Sequence, residues 1–141
     1  MTEKKVFIDP TREQFSAMMK LPDDGPIWML NLVRLREKAI YEDGRDATGA
    51  EAYAAYGRES QPFFEGVGGK IAWSASPKAV LIGAGDEHWD ICFAAEYPSA
   101  AAFADMVKNP GYQAIVHHRQ AGVADSRLIR MKPGAAGGAF G

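Results

Sequence analysis

The chain has 141 residues, 47% of them hydrophobic, with 16 basic side chains against 18 acidic ones. That is the length of one domain, which buries roughly 70% of the surface its unfolded chain would expose. The near-neutral balance, with no basic run interleaved with aromatics, excludes an electrostatic footprint for nucleic acid. The lone cysteine, Cys92, excludes an intramolecular disulfide.

The opening MTEKKVFIDP carries charges with no apolar stretch behind them, unlike a signal peptide. No segment reaches the apolar run that a membrane helix requires, so a soluble cytoplasmic protein with no membrane partner is expected. IDPTREQFSAMMKLP then predicts a short amphipathic helix, with Asp9 as N-cap, Pro10 at the first helical position and Phe15, Met18 and Met19 on one face. IWMLNLVRL, residues 27 to 35, is the strongest strand, with Ile27, Met29, Asn31 and Val33 on one face and Trp28, Leu30, Leu32 and Arg34 on the other.

A polar connection ends in Thr48-Gly-Ala-Glu51, which fits a capping box. The helix it starts places Tyr53, Tyr56, Ser60, Phe63 and Phe64 on one stripe, and Pro62 bends it or ends its regular part. KIAWSAS reads as a strand with Ile71, Trp73 and Ala75 on one side, and KAVLIGAG as a second strand, a hairpin arm after Pro77. DICFAAEY, residues 90 to 97, alternates as a third. Ser99 caps a helix through Val107, Asn109-Pro110 restarts it to about Gly122, and SRLIRMK is the last strand. No internal repeat is visible. The tail PGAAGGAFG is too poor in side chains to pack alone, and calls for a surface to lean on, a neighbouring chain included.

This order fits an α+β fold, β-α-β-β-α-β, whose antiparallel sheet carries its helices on one face. Helices on one side cover only one row of the first strand. Leaving Trp28, Leu30 and Leu32 in water forgoes roughly 1.5–3 kcal/mol each and exposes a patch of the kind that marks an interface. A second copy packed sheet to sheet resolves this; cover by the N-terminal helix or the tail is the alternative.

Several phrases resemble the domain of unknown function 1330 family, within the dimeric α+β barrel superfamily of ferredoxin-like folds. They are MLNLVR at 29 to 34, YEDGRDATGAEAYAAYG at 41 to 57, EYPSAAAF at 96 to 103, the YQ of 112 to 113 and HRQAGVADSRLI at 118 to 129. The resemblance implies a homodimeric barrel with a pocket in each half and no assigned activity. Its wider relatives include cofactor-free monooxygenases, haem-degrading enzymes, isomerases and non-catalytic effector-binding domains, so fold alone does not choose a function. The expected layout is an N-terminal extension with a short helix (1–26), a ferredoxin-like domain (27–133) and a Gly/Ala-rich tail (134–141).

YQAIVHHRQ, residues 112 to 120, holds the polar residues of most interest. Neighbouring helical residues are about 100° apart, so His117 and His118 point different ways and make a poor metal pair. No i, i+4 pair of the HExxH kind exists, and no metal site is expected. If Tyr112, Ile115, Val116 and Val123 define an apolar stripe, Arg119 lies in its middle and His118 at its border. A guanidinium there needs an anion: a structural ion pair with Glu96, Asp125 or Asp90, or the carboxylate of a ligand. Asn31, mid-strand, is either a satisfied core amide or a group that orients a substrate carbonyl. Tyr53, Tyr56 and Trp73 are either packing or pocket lining.

Asn31, Trp73 and His118 match by type the residues that haem-degrading relatives use, which gives a haem-binding or haem-degrading alternative. The expected function is a homodimer binding a small organic acid or aromatic metabolite, without metal or cofactor, in a pocket rimmed by Asn31, Tyr53, Tyr56, His118 and Arg119. If it catalyses a monooxygenase- or isomerase-type reaction, His118 is the acid/base, since it titrates near neutrality. The competing reading is a non-catalytic ligand-binding or assembly module.

Overall fold

The computed structural model describes residues 5–135, 137, 138 and 140. Nine elements follow in chain order: α1 (Arg12–Met19), β1 (Ile27–Leu35), α2 (Gly49–Gly66), β2 (Lys70–Ala75), β3 (Ile91–Tyr97), α3 (Ala100–Lys108), α4 (Pro110–Ile115), α5 (His117–Gly122) and β4 (Val123–Met131). The strands form one sheet in the order β2-β3-β1-β4, antiparallel throughout. This is the ferredoxin-like arrangement expected from the sequence. Among the described residues, no helix is long and apolar enough to cross a membrane.

Local chemistry starts the helices. The Thr48 hydroxyl accepts the Glu51 N–H at 3.0 Å while the Glu51 carboxylate accepts the Thr48 N–H at 2.8 Å, a complete capping box. The helix α2 then runs through Pro62 to Gly66 without ending there. Close approach matters at one point: a Cβ on Gly49 would sit 1.9 Å from the Arg36 carbonyl oxygen, so only glycine fits where α2 leaves the loop after β1. At α1 the cap is Thr11, whose hydroxyl accepts the Gln14 N–H at 3.0 Å. The expected cap, Asp9, lies outside the helix with Pro10, and its carboxylate turns elsewhere.

Register divides the sheet into two faces. Opposite Met29 stand Ala95 and Arg130; opposite Asn31 stand Phe93 and Leu128. This row faces the helices, and Ile27, Met29, Ala95 and Tyr97 bury against Phe64, Phe103 and Met106. The other row holds Trp28, Leu30, Leu32, Ala94, Cys92 and Ile129, and no helix covers it.

Two expectations for the β2 region are corrected. A register shift between Ile71 and Trp73 puts Ile71 opposite Ala95 but Trp73 opposite Ala94. The bulge therefore sends their side chains to opposite faces instead of one. Residues 78–85 form no strand: β2 pairs directly with β3, and 76–90 make an arm between them. Pro77 and the Gly83-Ala-Gly85 run suit a ladder poorly.

Candidate functional site

Between the helix-facing row of the sheet and the segment Phe7–Met18 lies an open cleft of about 1590 Å³, with α2, α4 and α5 completing its wall. Its lining is mainly aromatic and aliphatic, with Phe15, Met18, Met29, Phe93, Phe103 and Met106 among the contributors. The dimensions exceed the roughly 300–1,000 Å³ of ordinary small-molecule pockets.

Four polar side chains expected at a pocket lie on this wall: Asn31, Tyr53, Tyr56 and Arg119. Arg119 comes from the last turn of α5, and its side chain is only 12% exposed. Nη2 donates to the Ser126 hydroxyl at 3.2 Å and Nη1 to the Ile8 carbonyl. Its nearest carboxylate is Asp9, at 3.7 Å, on a side chain 49% exposed. Among the described residues, a guanidinium this enclosed is thus opposed by one loose, wet counter-ion. The expected partners are engaged elsewhere: Glu96 accepts the Trp28 indole N–H at 2.8 Å and pairs with Lys70 at 3.3 Å on the open face. Asp125 pairs with Arg127 at 2.8 Å, and Asp90 accepts the Leu35 N–H at 2.7 Å. Burial pushes the Asp125 carboxyl up, but bonds from Phe7 N–H, Arg127 and Ser126 N–H outweigh it and leave it below the ordinary carboxylate range.

The other three differ in how far they are satisfied. The Tyr56 and Tyr112 hydroxyls bond each other at 2.8 Å. The Asn31 amide donates to the Met29 carbonyl at 3.1 Å, while its own oxygen has no partner among the described residues. Tyr53 has no hydrogen-bond partner among the described residues. Burial and the neighbouring Tyr56 hold its hydroxyl in the protonated form, against the opposing pull of Arg119. The cleft therefore offers an acceptor, a donor and a cation whose capacity the fold does not exhaust.

His118 and Trp73 are not brought to this wall. His118 is buried on the far side of α5, its Nδ1 2.7 Å from the Tyr41 hydroxyl and its Nε2 2.9 Å from Glu59. Burial lowers its pKa, Glu59 opposes that, and the net direction is down. The rim position expected for it is thus corrected: His118 lies about 100° round the helix from Arg119, and it is turned to Tyr41 and Glu59. Trp73 lies on the opposite face of the sheet from Asn31, so the three residue types shared with haem-degrading relatives are not assembled. Among the described residues no cluster of three metal-ligating side chains occurs. What sequence reasoning missed is Asp9, Ser126 and the Phe15–Met18 wall. Asp9 and Ser126 are more than a hundred positions apart in the chain, and no local pattern links them.

Comparison with known proteins agrees with this fold. Residues 44–131 match the family described as a domain of unknown function, DUF1330. The crystal structure of the methylated RPA0582 protein is 56% identical, over 94% of this chain and 98% of that one, with a TM-score of 0.90. A crystal structure of RPA0582 from Rhodopseudomonas palustris, described as a protein of unknown function, is also 56% identical, over 93% and 99% of the two chains, with a TM-score of 0.88. A ferredoxin-like protein from Bacteroides fragilis, described as dimeric, is 12% identical over 79% and 99%, with a TM-score of 0.48. No curated protein matches. With its fold, its order of elements and more than half its length accounted for in this way, the chain belongs to the DUF1330 family.

Proposed function

We propose that the protein is a homodimer in which each copy binds a small organic acid or aromatic metabolite in its cleft. The observation that carries the ligand reading is Arg119. An almost enclosed guanidinium with one loosely held carboxylate among the described residues has room for a further anionic partner, and a ligand carboxylate would complete it through the planar fork. In this reading Asp9 holds the place that the ligand takes, the apolar lining carries the ligand body, and Asn31 and Tyr53 bond its polar edge. The dimer half of the reading rests on the uncovered row of Trp28, Leu30, Leu32 and Ile129, which a second sheet would shield about a two-fold axis.

Binding without catalysis is favoured by one further observation. No histidine stands among the residues lining the cleft, and His118, the candidate acid/base, is tied to Tyr41 and Glu59 behind it.

The test is Arg119→Met, assayed by calorimetry against a panel of aromatic and aliphatic carboxylic acids and by thermal unfolding. The wild type binds at least one acid and the variant binds it at least tenfold more weakly, while remaining folded. Failure of every acid to bind the wild type, or equal binding by the variant, ends the reading.

A further inference from the structure

The arm between β2 and β3 carries the two most exposed aliphatic side chains of any structured loop here, Leu81 at 95% and Ile82 at 92%. Adjacent branched side chains in full water forgo roughly 1.5–3 kcal/mol each, which a free surface loop has no reason to accept. Where the arm lies gives the reason. Its returning limb is fixed: Asp90 N–H donates to the Val33 carbonyl at 2.8 Å, the Trp89 indole N–H to Glu87 at 2.9 Å, and the Trp89 ring lies 5.3 Å from the Arg127 guanidinium. Arg127 stands opposite Leu32, in the row of the sheet that no helix covers. The returning limb therefore lies at one end of the open face, and Ala84, two residues after Ile82, lines a small cavity there with Arg34, Asp125 and Arg127.

The sheet face alone is small. Four strands about 4.8 Å apart and rising about 3.3 Å per residue make a footprint of roughly 500 Å². A stable interface takes about 800 Å² from each partner. A further element of each copy would enlarge the contact, and the arm borders the face with an apolar pair still in solvent.

We propose that residues 76–90 are a clasp: in the homodimer, Leu81 and Ile82 of each copy seat on the other copy at the margin of the sheet-to-sheet contact. The inference rests on the dimer proposed above and adds what holds it closed. Because both side chains are in solvent in the single copy, replacing them leaves the fold of each copy intact.

The experiment compares the wild type with Leu81→Ser/Ile82→Ser by sedimentation velocity over a concentration series, with circular dichroism and thermal unfolding of both. Tryptic cleavage after the exposed Lys78 is followed at low and high protein concentration. The expected result is a folded variant whose dimer dissociates at least tenfold more readily, and a wild-type Lys78 site protected as concentration rises. A wild type that stays monomeric removes the dimer and the clasp together. A dimeric wild type whose dissociation constant the double substitution leaves unchanged removes the clasp alone.

Discussion

The two faces of the sheet are built from the same strands and differ in one respect: the helices lie on one side only. On the covered face, Met29 is 2% exposed and is enclosed by side chains from α2 and α3, so its environment is complete within a single copy. On the open face, its neighbour Leu30 lies in a row of equal hydrophobicity with nothing above it. The covered side spends its surplus space on a cleft with unspent polar groups. The open side is a plane of Trp, Leu and Ile, bordered at its Arg127 end by the arm and by Phe7. The proposed ligand site and the proposed dimer contact fall on opposite sides of one strand, so substitutions one residue apart should have different consequences.

The largest effect belongs to the covered face. Met29→Ala should cost about 2–5 kcal/mol through lost burial and the cavity left behind, read by urea unfolding at a single protein concentration. A loss below about 1 kcal/mol would mean that the helices do not enclose this row as described. The next effect belongs to the open face and takes another form. Leu30→Ser should cost about 1 kcal/mol or less in a lone copy, where the side chain is only half-buried. The same change should abolish the rise of melting temperature with protein concentration that a dimer shows. Equal, concentration-independent losses from both substitutions would erase the distinction between the faces.

The division of β1 into two rows was legible because strand side chains alternate, but the strand is apolar on both faces, so which row meets the helices was not. The capping box at Thr48 was legible for a similar reason, since both its bonds are local. What escaped was whatever depends on a break in periodicity. One bulge after Ile71 sends Trp73 to the other face. The partners of Arg119 were illegible for a different reason. Asp9 has all the marks of a helix cap, and only the path of the N-terminal segment along β4, fixed by Phe7 N–H on Asp125 and the Ser126 hydroxyl on the Phe7 carbonyl, brings it to the guanidinium.

The smallest effect sharpens the comparison within the covered layer, between the neighbours His118 and Arg119. In the proposed reading Arg119 serves a ligand and His118 the fold, with both ring nitrogens engaged by Tyr41 and Glu59. Its folded-state pKa lies below the unfolded value, chiefly through burial. The unfolded chain therefore binds its proton more readily, and stability rises with pH. The contribution is fully present above the unfolded pKa of about 6.5 and is lost as pH falls through the lower folded value. His118→Gln should flatten the stability profile between about pH 7 and 5 while leaving acid binding in the cleft unchanged. Glu59 works against the shift, so the slope is shallow and the change small. A variant that loses ligand affinity and keeps the wild-type pH profile would reverse the two assignments, moving His118 to the cleft and leaving the layer behind it without its titrating group.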